Sequence, residues 1–229
     1  MRLFSLCLLI ILSPLCRGDN PASMKANTPD WLNAVGTLVV PGYRYEDGER
    51  RSHLEHCSAT LVANNLILSG WHCLEFYGDL SRDIEFALPG SGAPQVRTAR
   101  AVADGGGMDA DWVLLRLNRP IDTAFAKPVP VSRLTITRPG AQALSVAGFA
   151  GSRGAPGNNA VANYRATCHI LENEWYRVKT DCPASKGDSG GPVVHDNTLV
   201  GVVSAGDGAK LTYYTPSDSF FRALRRHIQ

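Results

Sequence analysis

Apolar residues along this chain fall into short runs. Segments 35–40, 59–68, 112–117, 143–147, 192–194 and 199–204 are dominated by Val, Leu, Ile and Ala, and Gly, Pro, Asn or Asp bound them. Runs of this length between turn residues predict β-strands. No strand–helix alternation is visible, so the pattern predicts an all-β sandwich or barrel. One helix is expected, at the C-terminus. Pro216-Ser217-Asp218 offers a cap, with Ser217 as the N-cap oxygen. Phe220, Phe221, Leu224 and Ile228 then recur at helical spacing, and Arg222, Arg225, Arg226 and His227 take the other face as a solvated, dipole-compatible surface. Residues 127–131, with Pro128 and Pro130, read as an extended connector between two halves. Asp104-Gly105-Gly106-Gly107 and the Gly-rich stretch 151–159 read as loops. Neither cradles phosphate, because no Gly-Lys-Ser or Gly-Lys-Thr follows.

The first residues follow another pattern. Arg2 precedes an apolar run, residues 3–12, in which only Ser5 is polar. A bilayer crossing needs about 20 residues, so no membrane span is expected. Pro14 breaks the run and Gly18 follows shortly after. Residues 1–18 therefore read as a secretory signal peptide, and the chain as secreted or periplasmic. Residues 19–30 read as a leader or short pro-segment, residues 31–127 as an N-terminal barrel, and residues 128–229 as a C-terminal barrel plus helix.

Removing the signal also removes Cys7 and Cys16 and leaves Cys57, Cys73, Cys168 and Cys182. An even number in an exported chain predicts disulfides. Three connectivities are open. The short-range one joins Cys57 to Cys73 and Cys168 to Cys182. Neither spacing is the C-x-x-C of a zinc site. His53 and His56 lie near Cys57, in a charged, turn-like stretch with Arg50, Arg51, Ser52 and Glu55. That setting suits solvated side chains better than metal ligands.

Composition narrows the classes further. The 229 residues suit one large domain or two small ones. A hydrophobic share of 44% and a charged share of 19% exclude wholesale disorder. The 23 basic residues nearly balance the 21 acidic ones and form no block. No electrostatic case for nucleic acid arises.

The strongest local signal is Lys186-Gly187-Asp188-Ser189-Gly190-Gly191-Pro192. Its last six residues arise by chance on the order of 10⁻⁷ times per position at average usage. A nucleophilic serine needs a tight turn and backbone N–H groups aimed at a developing oxyanion, and glycines permit both. The same residues fit the G-x-S-x-G elbow of α/β-hydrolases. That fold places its acid and histidine after the serine, and too little chain follows Ser189 for the strands and helices required. The reverse order works. His72 ends an apolar segment beside Cys73, and an imidazole can take the serine proton. Asp111 heads the apolar run 112–117, where its carboxylate needs a hydrogen-bond partner such as Nδ1–H of that imidazole. Asp109 competes for the role but sits nearer flexible Gly107.

These residues together resemble the trypsin/chymotrypsin-like serine peptidase family. Cys57-Ser58-Ala59-Thr60-Leu61-Val62 and Ile67-Leu68-Ser69-Gly70-Trp71-His72-Cys73 are similar to its histidine region. Asp111-Trp112-Val113-Leu114-Leu115-Arg116-Leu117 is similar to its aspartate strand, Val146-Ala147-Gly148-Phe149 to its apolar-x-Gly-Trp-Gly strand, and residues 187–192 to its serine motif. The resemblance runs over about residues 31–227. It implies an all-β fold of two packed six-stranded antiparallel β-barrels with a C-terminal α-helix. It also implies His72 as base then acid, Asp111 as its orienter, Ser189 as nucleophile, and the N–H groups of Gly187 and Ser189 as the oxyanion hole.

Some positions depart from the family pattern. Trp71 and Gly70 replace the usual small residue and alanine before the histidine. No Arg-Ile-Val-Gly-Gly start occurs. Ala34-Val35-Gly36 is the nearest match and resembles the compact bacterial, glutamyl-endopeptidase-like branch, as does the Cys182-to-Ser189 spacing. The base of a trypsin-type pocket would be Pro183, which carries no charge. Val203 stands where glutamate-specific members carry histidine. With Ala184, Ser204 and Gly206 as further lining, the pocket is expected to be uncharged and to take a small or apolar side chain.

The resulting expectation is an exported serine endopeptidase acting through an acyl-enzyme. It needs no cofactor and no metal and acts on protein or peptide substrates; the sequence leaves the oligomeric state open, with a monomer favoured. The acidic loop 75–85 lacks the family's calcium pattern and is expected to be solvated. The alternative is a catalytically silent homologue that binds a partner through the cleft. Such homologues usually lose a triad residue, and this chain has lost none.

Overall fold

The structure is a computed structural model that describes residues 28–90, 93–133, 139–140, 143–149, 162–174 and 176–228. The expected signal peptide, most of the leader and the Gly-rich stretch 151–159 lie outside the described residues.

The first half forms six strands, β1 (Val35–Glu46), β2 (Glu49–Ala63), β3 (Leu66–Ser69), β4 (Ile84–Leu88), β5 (Gln95–Asp104) and β6 (Val113–Leu117). They close into a barrel in the order β1-β2-β3-β6-β5-β4. Two expectations change here. The run 59–68 is not one strand, because Asn64 and Asn65 form a turn between β2 and β3. The charged stretch 50–56 is not a turn but part of β2, paired with β1 from Val35↔Thr60 to Glu46↔Glu49. The turn lies instead at Asp47-Gly48, both at positive φ (54° and 80°). A two-residue Asp-Gly connection is the preferred geometry for a twisted hairpin.

The second half forms β7 (Leu144–Gly148), β8 (Asn163–Cys168), β9 (Ile170–Glu174), β10 (Arg177–Thr180), β11 (Pro192–His195), β12 (Thr198–Gly206) and β13 (Thr212–Pro216). The sheet order is β8-β7-β11-β12-β13-β10-β9. Its two edge strands are consecutive in the chain, separated only by His169. One bent segment therefore supplies both edges, with Thr167 at φ 59° near the bend. The sheet curls on itself as a second, incompletely closed barrel, with seven strands instead of six.

Leu38, Leu61, Ile67, Phe86 and Leu114 are fully buried in the first barrel, and Leu144, Val178, Val193 and Tyr214 are buried in the second. The first core continues into Ala147, Phe149, Val202, Phe220 and Leu224, so apolar packing crosses between the barrels. The connector adds backbone bonds to both. Val129 N–H donates to Leu61 O (2.9 Å), and Pro130 O accepts from Leu199 N–H (2.8 Å).

The helix is short, α1 (Phe221–His227). Its apolar stripe is narrower than expected, since Phe220 and Leu224 are buried but Ile228 is exposed. Ser217 does not cap it. The chain first makes a 3₁₀ turn, Ser217–Ser219, and the buried Ser217 hydroxyl finds no hydrogen-bond partner among the described residues. No helix among the described residues is long and apolar enough to cross a membrane.

Candidate active site

Strand pairing brings the first two candidate residues together. β3 and β6 run antiparallel with Ser69 opposite Val113. The end of β3 therefore lies beside the start of β6. His72 follows β3 in the 3₁₀ turn Trp71–Leu74, and Asp111 lies two residues before β6. Asp111 is fully buried, whereas Asp109 is exposed. The His72 backbone N–H donates to Asp111 Oδ1 (2.9 Å), and His72 Nδ1 lies 2.8 Å from Oδ2. The Ser204 hydroxyl also donates to Oδ2. Three donors thus satisfy a carboxylate with no access to water, which offsets much of its desolvation cost.

The imidazole is itself largely buried, which disfavours its charged form. The hydrogen bond and charge of Asp111, with smaller contributions from Glu55 and Glu75, outweigh that effect and hold the His72 pKa above its ordinary value. Gly70 keeps the ring's flank clear, since a Cβ there would stand 3.1 Å from two ring atoms. On the other side the Cys57–Cys73 disulfide ties this turn back to β2. Cys73 Sγ lies 3.9 Å from His72 Nε2, and both sulfurs of the Cys57, Cys73 and His72 cluster are consumed by the disulfide. The second disulfide joins Cys168 to Cys182.

Ser189 sits in a tight loop just before β11. Asp188 N–H donates to Ser185 O (2.9 Å), Gly191 N–H to Asp188 O (2.9 Å) and Gly190 N–H to Val203 O (2.8 Å). Gly187 (φ 103°) and Gly190 (φ 80°) adopt backbone that side chains rarely tolerate. A Cβ on Gly190 would lie 2.1 Å from Ser69 Oγ and 2.3 Å from Ser58 O. Ser189 is partly exposed, and its carbonyl accepts from Ser58 N–H of the first barrel (2.7 Å). Its hydroxyl makes no hydrogen bond with His72 Nε2 among the described contacts. Asp188 is buried, with Oδ2 accepting from Ser185 N–H (2.9 Å).

The expected pocket residues are neighbours but do not all face one space. Ala184 and Val203 are buried, and Pro183 is half-buried. Ala184 O accepts from Gly208 N–H (2.9 Å), and a Cβ on Gly206 would lie 2.2 Å from that oxygen. Thr212 Oγ1 donates to Cys182 O (2.7 Å). Ser204, expected as pocket lining, directs its hydroxyl to Asp111 instead. Ala34-Val35-Gly36 is no loose start, because Val35 and Gly36 pair within the barrel with Thr60 and Ala59.

A family model described as Trypsin matches residues 39–224. The chain belongs to the trypsin family. The match takes in all but the first residues of β1 and includes His72, Asp111, Ser189 and the expected pocket residues. A trypsin-like protease of Streptomyces glaucescens is 26% identical to this trypsin-family chain over a 180-residue alignment, with 66% of the chain and 65% of that relative covered. The alignment therefore spans somewhat less than two thirds of the relative's length. Among solved structures, neuropsin, a serine protease expressed in the limbic system of mouse brain, superposes with a TM-score of 0.61. It is 17% identical, with 88% of this chain and 97% of that chain covered, so the likeness is one of fold. The fold is the chymotrypsin-like arrangement of two β-barrels and one C-terminal helix.

The sequence gives no hint of three contributors to this trypsin-family site. Ser58, Glu55 and the Ser204 contact with Asp111 rest on pairings between distant residues. Ser58 lies inside the segment 57–62, but that segment does not say which acceptor its hydroxyl reaches, and Glu55 has no motif around it. The Asp47-Gly48 dipeptide, by contrast, is a readable signal for the hairpin that carries Glu55 and Ser58.

Proposed function

We propose that this chain is an exported serine endopeptidase in which Ser189 is the nucleophile, His72 the general base and acid, and Asp111 the group that orients His72. The two-point contact of His72 with buried Asp111, at 2.9 and 2.8 Å, carries the proposal. It holds Nδ1 as the donor and leaves Nε2 as the basic nitrogen. Ser189 Oγ loses its proton to Nε2 as it attacks the peptide carbonyl. The resulting oxyanion is met by the N–H groups of Gly187 and Ser189, neither of which has a backbone acceptor among the described residues. His72 then protonates the leaving amine, and an acyl-enzyme remains. Water attacks the ester with His72 again as base, restoring Ser189. Protein residues supply every proton transfer, so the proposed cycle calls for no metal or cofactor.

The substrate side chain on the acyl side of the cut is small or apolar. Pro183, Ala184, Val203, Gly206 and Thr212, the residues around the expected pocket, carry no charge. The two disulfides and the pattern around Cys182 fit the compact bacterial branch, and disulfides suit an exported protein.

Labelling with a fluorophosphonate probe tests the proposal. The folded protein, with any leader removed, is expected to label at Ser189, and Ser189→Ala is expected to abolish the label. A folded sample that takes no label would falsify it and favour the silent, partner-binding homologue.

A further inference from the structure

Ser58 is fully buried at the centre of a hydrogen-bond cluster that joins the barrels. Its backbone N–H donates to Ser189 O at 2.7 Å. Its hydroxyl donates to Gly187 O at 2.7 Å. The same hydroxyl accepts from Phe149 N–H at 2.8 Å, just beyond β7. Its own carbonyl accepts from Ser69 Oγ at 2.8 Å. Thus one residue of β2 holds the carbonyls of both Gly187 and Ser189, the two residues whose N–H groups form the proposed oxyanion hole.

We infer that the Ser58 hydroxyl is a positioning group for the oxyanion hole, acting through Gly187. This inference rests on the endopeptidase reading above. The physical need is specific. Gly187 stands at φ 103° with no side chain to restrict rotation. An oxyanion donor works only if its direction is fixed before charge develops. Pinning the Gly187 carbonyl anchors the peptide plane on one side of its Cα, the reference from which φ and ψ of Gly187 set the direction of its N–H. The hydroxyl is itself oriented, since Phe149 N–H occupies its acceptor side and leaves its proton for Gly187 O. Ser58 touches neither the substrate carbonyl nor the transferred proton in this scheme. Its neighbour Cys57 is bonded to Cys73, next to His72. The same two-residue stretch of β2 therefore fixes the histidine turn on one side and the nucleophile loop on the other.

The test compares wild type with Ser58→Ala, Ser58→Cys and Ser58→Thr, using fluorophosphonate inactivation and hydrogen–deuterium exchange. The phosphonyl oxygen of the probe uses the oxyanion hole, so no natural substrate is needed. Ser58→Ala is expected to lower the maximal inactivation rate about tenfold, the effect of losing one ordinary hydrogen bond. The half-saturating probe concentration is expected to stay within about twofold. Ser58→Thr keeps the hydroxyl and is expected to recover most of the rate, while Ser58→Cys, a weak donor, falls between. Amide exchange in the 186–190 loop is expected to quicken in Ser58→Ala while that of β6 does not. An unchanged maximal rate with only a lower melting temperature overturns the inference. So does a Ser58→Ala loop that exchanges as slowly as wild type. If wild type itself takes no label, the endopeptidase reading fails, and the exchange measurement still decides whether Ser58 holds the loop. Should Ser58→Ala not fold, Ser58→Cys supplies the same two readings.

Discussion

His72 and Asp111 meet at two points. The backbone N–H and Nδ1 of the histidine address the two carboxylate oxygens of one buried aspartate. Such a pairing fixes the ring in both position and rotation, because one contact comes from the main chain and cannot swing with the side chain.

Asp111→Asn is the sharpest test of that pairing. An amide can present an N–H toward Nδ1 and favour the wrong tautomer. On the proposed mechanism, kcat is expected to fall by about four orders of magnitude, with much less change in KM. Steady-state kinetics on a peptide selected from a cleavage library measures this. A loss below tenfold contradicts the assigned role.

The pH dependence follows from the raised pKa of His72. Activity requires the neutral imidazole, so kcat/KM is expected to climb with pH through an apparent pKa above the usual value of about 6.5. The stability effect has the opposite slope. A group whose folded pKa is raised stabilises the fold fully below its unfolded pKa and loses that contribution as pH rises through the folded pKa. NMR titration of His72 in the Ser189→Ala protein reads the pKa directly. A value below the ordinary one would show that burial, not Asp111, dominates.

Ser204→Ala removes one donor from the Asp111 carboxylate. The charge is then less neutralised, and the pKa of His72 is expected to rise further. Losing a hydrogen bond to a charged, buried group costs roughly 1.5–3 kcal/mol of stability. Denaturant unfolding and the acid limb of the rate profile give the two readings. A shift of that limb to lower pH contradicts the arrangement.

Gly190→Ala probes the junction of the barrels. The new Cβ would meet Ser69 Oγ and Ser58 O at 2.1 and 2.3 Å, on backbone with φ 80°. The cost is expected to be about 2 kcal/mol or more. Both melting temperature and fluorophosphonate labelling should fall. A variant that keeps both at wild-type levels would show that the loop can move away from β2 without consequence.

The Cys57–Cys73 bridge closes a separation of 16 residues. Replacing both cysteines with serine is expected to cost about 3 kcal/mol on the chain-entropy account. Because Cys73 adjoins His72, the rate of the remaining folded protein should fall as well. The Cys168/Cys182 pair, 14 residues apart, should cost similar stability with a smaller effect on rate. Thermal unfolding and labelling rates, compared between the two double variants, check the contrast.

The sequence by itself determined which chemistry-bearing residues to watch. Ser189 lies among glycines that permit its turn, His72 beside a cysteine, and Asp111 at the mouth of an apolar strand. Local composition also marked short strands and their turns, though Asn64-Asn65 and Asp47-Gly48 set the first hairpins where a run of apolar residues or charges misled. That correction matters physically. A single extended strand would hold residues 57 and 73 about 50 Å apart, whereas the hairpin brings their Cα atoms to 6.2 Å. Only the tertiary structure decided how the carboxylate and the nucleophile loop are held. Ser204 reaches Asp111 across 93 positions, and Ser58 reaches Gly187 across 129. A hydroxyl's role depends on which acceptor the fold places within 3 Å of it, and no pattern of neighbouring residues encodes that distance.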